Sequence, residues 1–442
     1  MIHSASLMET ATALGGGQMD AVAYIDTLCA WIDTVDPQVH ALLPEEDRRG
    51  RLQAEVAALQ RRYPDPASRP PLYCIPVGVK DTFRVDGFAT RAGSRLPAEL
   101  FAGTEASCVR ALRAAGACIL GKTVTTEFAY FEPGETRNPH NLNHTPGGSS
   151  SGSVAAVAAG MCSLALGTQV IGSTIRPAAF CGIVGFKPTY GRIPIDGLVR
   201  CADSVEHVGY FTQNVADCSY VAPLLCRDWR SKNNIESLPV LGVPLSDGPY
   251  LTQASAEVLA AFEEQLTLLK EAGYRVRRVP LFPDIERINR QHMRMVFAEM
   301  ARVHAPWFAR YEALYRPRTV AAIREGQTVG DEELMRGREG RAKLREVLET
   351  LMKQTGIDLW VTPATPGPAP EGLDSTGSPL MNLPWTYAGL PAITVPAGLA
   401  ANNLPLGLQC VGAAMADEQV LAWVAPMADI LASRLQFLED PT

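Results

Sequence analysis

The chain predicts an α/β fold, because strand-like and helical segments alternate along its length. Two further observations support that class. Hydrophobic residues make up 47% and charged residues 20% of the 442 positions, the balance of a packed protein and not of a disordered one. The 37 glycines and 33 prolines exceed the ordinary share of about 12%, and they gather in turns between apolar segments. The length fits two or three domains or one large α/β unit.

The elements follow in order. Residues 19–63 carry apolar positions at helical spacing, and 64–71 are a Pro-rich break. Residues 73–80 read as a buried strand ending at Lys80. A helix over 106–116 stops at Gly116, and 117–120 form a short strand. Residues 132–153 are a polar loop, 153–161 a helix of small residues and 163–168 a strand. Residues 171–200 are rich in Gly and Pro. Further strand and helix are expected over 208–226 and 237–243. An amphipathic helix over 255–273 leads into a strand at 275–279, and 284–355 are long, Arg-rich and helical. Strands close the chain at 358–364, 390–399 and 406–412.

The charge balance is 47 acidic against 40 basic residues, net -7, which argues against a whole-surface nucleic-acid binder. The first twenty residues lack a secretory pattern, and the longest apolar stretch, 154–167, is too short to span a membrane. The expectation is a soluble, cytoplasmic protein. Ten cysteines stand singly with no CxxC pair, as reduced buried thiols do. His140 and His144 lie four apart among Pro and Asn, so a polar loop is expected there and no metal site.

Three patterns bear on chemistry. Residues 116–123, GACILGKT, match G-x4-GKT, but a phosphate-cradling loop lies between a strand and a helix. Here a helix precedes Gly116 and the intervening residues are apolar, so a buried strand is expected. Residues 148–152, GSSSG, match GxSxG; as a nucleophile elbow this would make Ser150 the nucleophile with a histidine partner, yet turn residues precede it instead of a strand. The third pattern is a constellation: Lys80 at a strand end, serines at 149–151, and Gly172-Ser173 in a turn after an apolar strand.

Taken in order, residues 75–81 (IPVGVKD), 121–129 (GKTVTTEFA), 146–160 (PGGSSSGSVAAVAAG) and 166–193 (LGTQVIGSTIRPAAFCGIVGFKPTYGRI) resemble the amidase signature family of serine hydrolases. The likeness is strong over 72–215, resumes at 358–366, 382–398 and 406–412, and is loose over 274–355. It implies a single large α/β/α domain, 1–442, around a mixed β-sheet. In it 19–66 would be an N-terminal helical segment and 274–355 a variable helical region on the substrate side. It also implies hydrolysis of amide-type bonds with no metal or cofactor.

Carried over by position, the resemblance makes Ser173 the nucleophile, Ser149 the bridging serine after a cis Gly148–Ser149 peptide, and Lys80 the base. The oxyanion hole falls on the N–H groups of Val170, Ile171, Gly172 and Ser173, with Gly148, Ser150, Gln169 and Arg176 in support. A serine hydroxyl needs a base to become a nucleophile. Lysine serves only when neutral, and bringing it from about 10.4 to near neutrality takes ~4 kcal/mol, which desolvation can supply. A carboxylate nearby would oppose this, so Asp81 is expected to point elsewhere. The chain departs from the commonest family pattern at Gln169 (usually Asp), Ile171 (usually Gly), Arg176 (one place late) and Ser151 (usually Gly).

Tyr130 and Phe131 fall near the family's substrate entrance. Among the substrate classes the resemblance admits, the acidic charge balance, the lack of an apolar membrane-docking helix and these aromatic residues favour a small amide, anilide or aryl carbamate (urethane), and the expectation is no nucleic-acid or membrane partner and a monomer or homodimer. The alternative is the glutaminase subunit of a tRNA-dependent amidotransferase. A second alternative is a non-catalytic binding subunit that keeps the fold.

Overall fold

The computed structural model describes residues 6–230 and 237–436. At its centre is a ten-stranded mixed sheet with helices on both sides. The strands are β1 (Pro76–Lys80), β2 (Cys118–Thr123), β3 (Leu164–Gln169), β4 (Val184–Lys187), β5 (His207–Thr212), β6 (Val240–Pro244), β7 (Arg275–Val279), β8 (Leu359–Pro363), β9 (Ala392–Leu399) and β10 (Pro405–Val411). Across the sheet they run β2-β1-β3-β5-β4-β9-β10-β8-β6-β7. β1 is parallel to both β2 and β3, and β6 to both β7 and β8. The five pairings between β3 and β8 are antiparallel.

The helical stretch expected over 19–63 divides. After α1 (Leu7–Gly16), α2 (Ala21–Val39) ends where His40 turns left-handed at φ 54°, and α3 (Arg48–Arg62) restarts from Asp47, whose carboxylate accepts the Gly50 N–H. Asp36 enforces the break by accepting the Ala41 N–H at 2.7 Å. Such a side-chain cap competes locally with helix continuation, which periodicity alone does not show. After α4 (Ser107–Ala114), strand β2 runs on through Gly121-Lys122-Thr123. Lys122 is therefore a buried strand residue, 2.7 Å from Asp81. Asp81 does point elsewhere than Lys80.

α5 (Ser151–Ala158) has all eight residues buried. Its small side chains let it lie close on β1, β2 and β3. A Cβ at Gly152 would strike the Ala41 carbonyl and the Val124 amide, so this approach requires glycine. The Gly/Pro region 171–200 also holds α6 (Ile175–Phe180) and β4, elements too short to show a period. α7 (Val215–Leu225) and α8 (Ala256–Glu271) lie where expected. Residues 284–355 form three helices: α9 (Ile285–Tyr311), α10 (Pro317–Gln327) with proline in its first turn, and α11 (Asp331–Thr355), which stops at left-handed Gly356. α12 (Leu383–Ala388) and α13 (Asp417–Gln436) complete the chain. All ten cysteines are free and buried.

Candidate active site

Three chain segments meet at the ends of the parallel strands β1 and β3. The register pairs Val79 with Leu166, which brings Lys80, the last residue of β1, beside the end of β3. Parallel-strand ends of this kind are where α/β proteins place ligands. The start of α5 supplies the serines, and the turn between β3 and α6 supplies residues 170–174.

Lys80 is fully buried, and its ammonium nitrogen meets three hydroxyls: Thr168 Oγ1 at 2.7 Å, Ser149 Oγ at 2.8 Å and Ser150 Oγ at 3.1 Å. Burial drives its ionisation down to about 7, while the negative charge of an ionised Glu206 pulls the other way. Glu206 is itself buried and pushed upward by desolvation, against the Cys201 N–H and Lys80. One carboxylate oxygen accepts that N–H at 2.9 Å, and the Ala202 backbone also favours the ionised carboxylate.

Among the described residues two other lysines are buried, and geometry separates them from Lys80. Lys122 is paired with Asp81. Lys187 donates to the carbonyls of Leu390 at 2.5 Å and Pro188 at 3.1 Å, and burial drives it to about 7 as well. Carbonyls only accept, so Lys187 must keep its protons facing them. Hydroxyls both donate and accept, so a neutral Lys80 can take a proton from one.

The Gly148–Ser149 peptide is cis. Gly147, at φ 84°, leads into it, and a Cβ there would sit 2.9 Å from the Pro177 backbone. Arg176 holds the same segment from α6. Its buried guanidinium donates to the Gly148 carbonyl at 2.6 Å, the Gly377 carbonyl at 2.8 Å and Thr376 Oγ1 at 3.1 Å. Gln169 accepts the N–H groups of Thr174 at 2.7 Å and Ile175 at 3.0 Å. The amide at this departure thus still provides an acceptor. Among the described residues, the N–H groups of Val170, Ile171, Gly172 and Ser173 donate to no protein acceptor. Four successive free donors suit an anionic oxygen.

Ser149, Ser173, Val170, Ile171 and Arg176 line one chamber of about 10 Å³ with Ala129, Tyr130, Phe131 and Cys201. That is room for about one water. Phe128 and Ala129 are both left-handed, at φ 50° and 57°, a costly turn for residues with side chains. Hydrogen bonds from Phe128 N–H to Ala92 O and from Ala129 N–H to Thr126 O hold it, bringing Tyr130 and Phe131 to the chamber wall. Phe131 also lies under the Arg176 guanidinium, 5.8 Å from its ring centre.

Other sequence candidates fall elsewhere. Ser150 bonds Lys80 and the Thr168 backbone, and no histidine is among its partners. His140 and His144 face the carbonyls of Cys181 and Ala369, each at 3.0 Å. Sequence reasoning missed Thr168, Glu206 and Cys201. Thr168 was within reach, since strand pairing of β1 with β3 sets it beside Lys80; the other two carry no motif.

Among the described residues no helix is long and apolar enough to cross a membrane. The Amidase family matches residues 23–421. A glutamyl-tRNA(Gln) amidotransferase subunit from Roseiflexus sp. (strain RS-1) is 32% identical, the alignment covering 95% of each chain. A crystal structure of an amidase superposes with TM-score 0.85 at 29% identity, over 96% of this chain and 99% of that one. The peptide amidase of Stenotrophomonas maltophilia superposes with TM-score 0.79 at 25% identity, over 98% and 97%. Sequence and architecture agree over nearly the whole length, and this chain belongs to the Amidase family of hydrolases acting on carbon–nitrogen bonds.

Proposed function

We propose that the chain hydrolyses a carboxamide through an ester on Ser173. Ser173 Oγ attacks the carbonyl carbon while its proton passes to Ser149 Oγ, whose own proton passes to neutral Lys80. The carbonyl oxygen becomes an oxyanion facing the N–H groups of residues 170–173. The protonated Lys80 returns a proton through Ser149 to the leaving nitrogen, the C–N bond breaks, and the amine departs. Water then attacks the ester by the same route and releases the acid. The observation that carries this reading is the buried Lys80, whose nitrogen meets three hydroxyls and no carboxylate.

The curated relatives weigh toward the glutaminase alternative more than toward the small amide expected first. We therefore place a glutamine-type primary carboxamide first. The second reading, a small amide, anilide or aryl carbamate, draws on the mostly apolar chamber lining. Ammonia release from L-glutamine, measured beside a panel of p-nitroanilide amides and p-nitrophenyl carbamates, separates them. Preference for glutamine supports the first reading, and preference for the panel replaces it with the second. A fluorophosphonate is expected to label Ser173 stoichiometrically. Folded protein that takes no label would leave only the non-catalytic binding role.

The pH profile offers a further check. An ionised Glu206 favours protonated Lys80. Glu206→Gln removes that charge, so Lys80 loses its proton more readily. The acid limb of kcat/KM should move to lower pH, by up to about 1 unit. A limb that stays or moves upward would show that Glu206 does not act on Lys80.

A further inference from the structure

We infer that His292 and Thr386 are positioning residues of the oxyanion loop, each fixing one peptide plane so that its N–H faces the chamber. The inference rests on the acyl-enzyme reading above. His292 lies on α9 and is fully buried. Its Nε2 is 3.0 Å from the Val170 carbonyl. A carbonyl cannot donate, so Nε2 carries the proton. Thr386, on α12, donates its hydroxyl to the Ile171 carbonyl at 2.6 Å. In a planar trans peptide the C=O of one residue and the N–H of the next point opposite ways. Holding the Val170 carbonyl outward therefore aims the Ile171 N–H inward, and holding the Ile171 carbonyl aims the Gly172 N–H.

Gln169 completes the arrangement. Its Nε2 donates to Thr386 Oγ1 at 2.8 Å, which leaves the hydroxyl hydrogen for a carbonyl, and the Ile171 carbonyl at 2.6 Å is nearer than that of Asn382 at 3.1 Å. A carboxylate at 169 could cap Thr174 and Ile175 equally well but could not make this donation. The departure at 169 is thus matched to Thr386. Burial drives His292 down to about 4, so the ring stays a neutral donor through neutral pH. The Tyr387 ring packs 5.2 Å from it, and the Tyr387 hydroxyl is tied to the Gly337 carbonyl on α11 at 2.5 Å. The helices of residues 284–355 therefore bear on the oxyanion loop through His292, and α11 braces that ring through Tyr387.

Inactivation by a fluorophosphonate tests this without knowledge of the substrate, because its transition state also places an anionic oxygen in the loop. Thr386→Val keeps the shape and removes the hydroxyl. We expect kinact to fall about 10–100-fold with KI nearly unchanged, and Thr386→Ser to restore most of the rate. His292→Phe should behave like Thr386→Val, and His292→Gln, which keeps an N–H donor, should retain more rate. Should His292→Phe fail to fold, the Thr386 pair decides. A kinact for folded Thr386→Val within about threefold of wild type, or a loss that Thr386→Ser does not restore, overturns the inference. Ser173→Ala is the separate control: wild-type labelling of that variant would instead overturn the acyl-enzyme reading.

Discussion

Lys80→Ala is expected to lower amide turnover by about 10²–10⁴-fold, the usual worth of a positioned general base. It should also erase the ionisation that shapes the acid side of the rate profile. In the wild type kcat/KM should rise through about pH 7, where burial places Lys80. Lys80→Arg should be as inactive as the alanine variant, since a guanidinium keeps its proton in proteins. Retention of both rate and acid limb in Lys80→Ala would remove Lys80 from the mechanism. The same group makes a prediction about stability. Its folded value lies below that of the unfolded chain, so between about pH 7 and 10 the unfolded state holds the extra proton and stability rises with pH. Lys187 shifts in the same direction and contributes over the same window. Buried thiols such as Cys108, Cys162 and Cys181 are pushed up by burial and work against this gain in both proteins. The check is therefore a difference: the change in urea-unfolding stability from pH 7 to pH 9 should be less favourable in Lys80→Met than in the wild type.

What could be read in the residues depended on how local the cause was. Lys80, Ser149 and Ser173 stand in compact motifs whose spacing survives in one chain, and strand β1 is an apolar run that ends at its charged residue. The architecture was legible for the same reason: β1, β3, β8, β9 and β10 each show as a short apolar segment. The divisions of the helical stretches were not. The break after α2 depends on Asp36 bonding the Ala41 amide, a contact indifferent to hydrophobic period. α12 is six residues long and entirely buried, so it has no polar face to give it a pattern. The supports of the loop were hidden more deeply. His292 lies 122 residues from the carbonyl it holds, and Thr386 lies 215 residues from its own. Gln169 looked like the loss of a carboxylate until Thr386 supplied the partner for its amide nitrogen. Burial alone does not separate Lys187 from Lys80; only the atoms facing each amine distinguish them.

Ser149 and Ser150 both touch Lys80, at 2.8 Å and 3.1 Å, and their alanine variants should differ sharply. The GxSxG pattern points to Ser150, but its hydroxyl is engaged by the Thr168 backbone, accepting from the N–H at 3.3 Å and lying 3.2 Å from the carbonyl. Among the described residues the Ser149 hydroxyl has no such backbone tie, and it lines the chamber with Ser173. Ser149→Ala should reduce amide turnover about 10²–10⁴-fold, whereas Ser150→Ala should cost about tenfold or less. The leaving group sharpens the test. An amide nitrogen must be protonated before it departs, while p-nitrophenolate leaves as the anion. Loss of a relay that returns the proton should therefore hurt a p-nitroanilide far more than the p-nitrophenyl ester of the same acid. The amide-to-ester ratio of kcat/KM should fall in Ser149→Ala and stay near wild type in Ser150→Ala. An unchanged ratio in Ser149→Ala would mean that the proton reaches the leaving nitrogen by another path, and a ratio that falls instead in Ser150→Ala would move the relay to that serine.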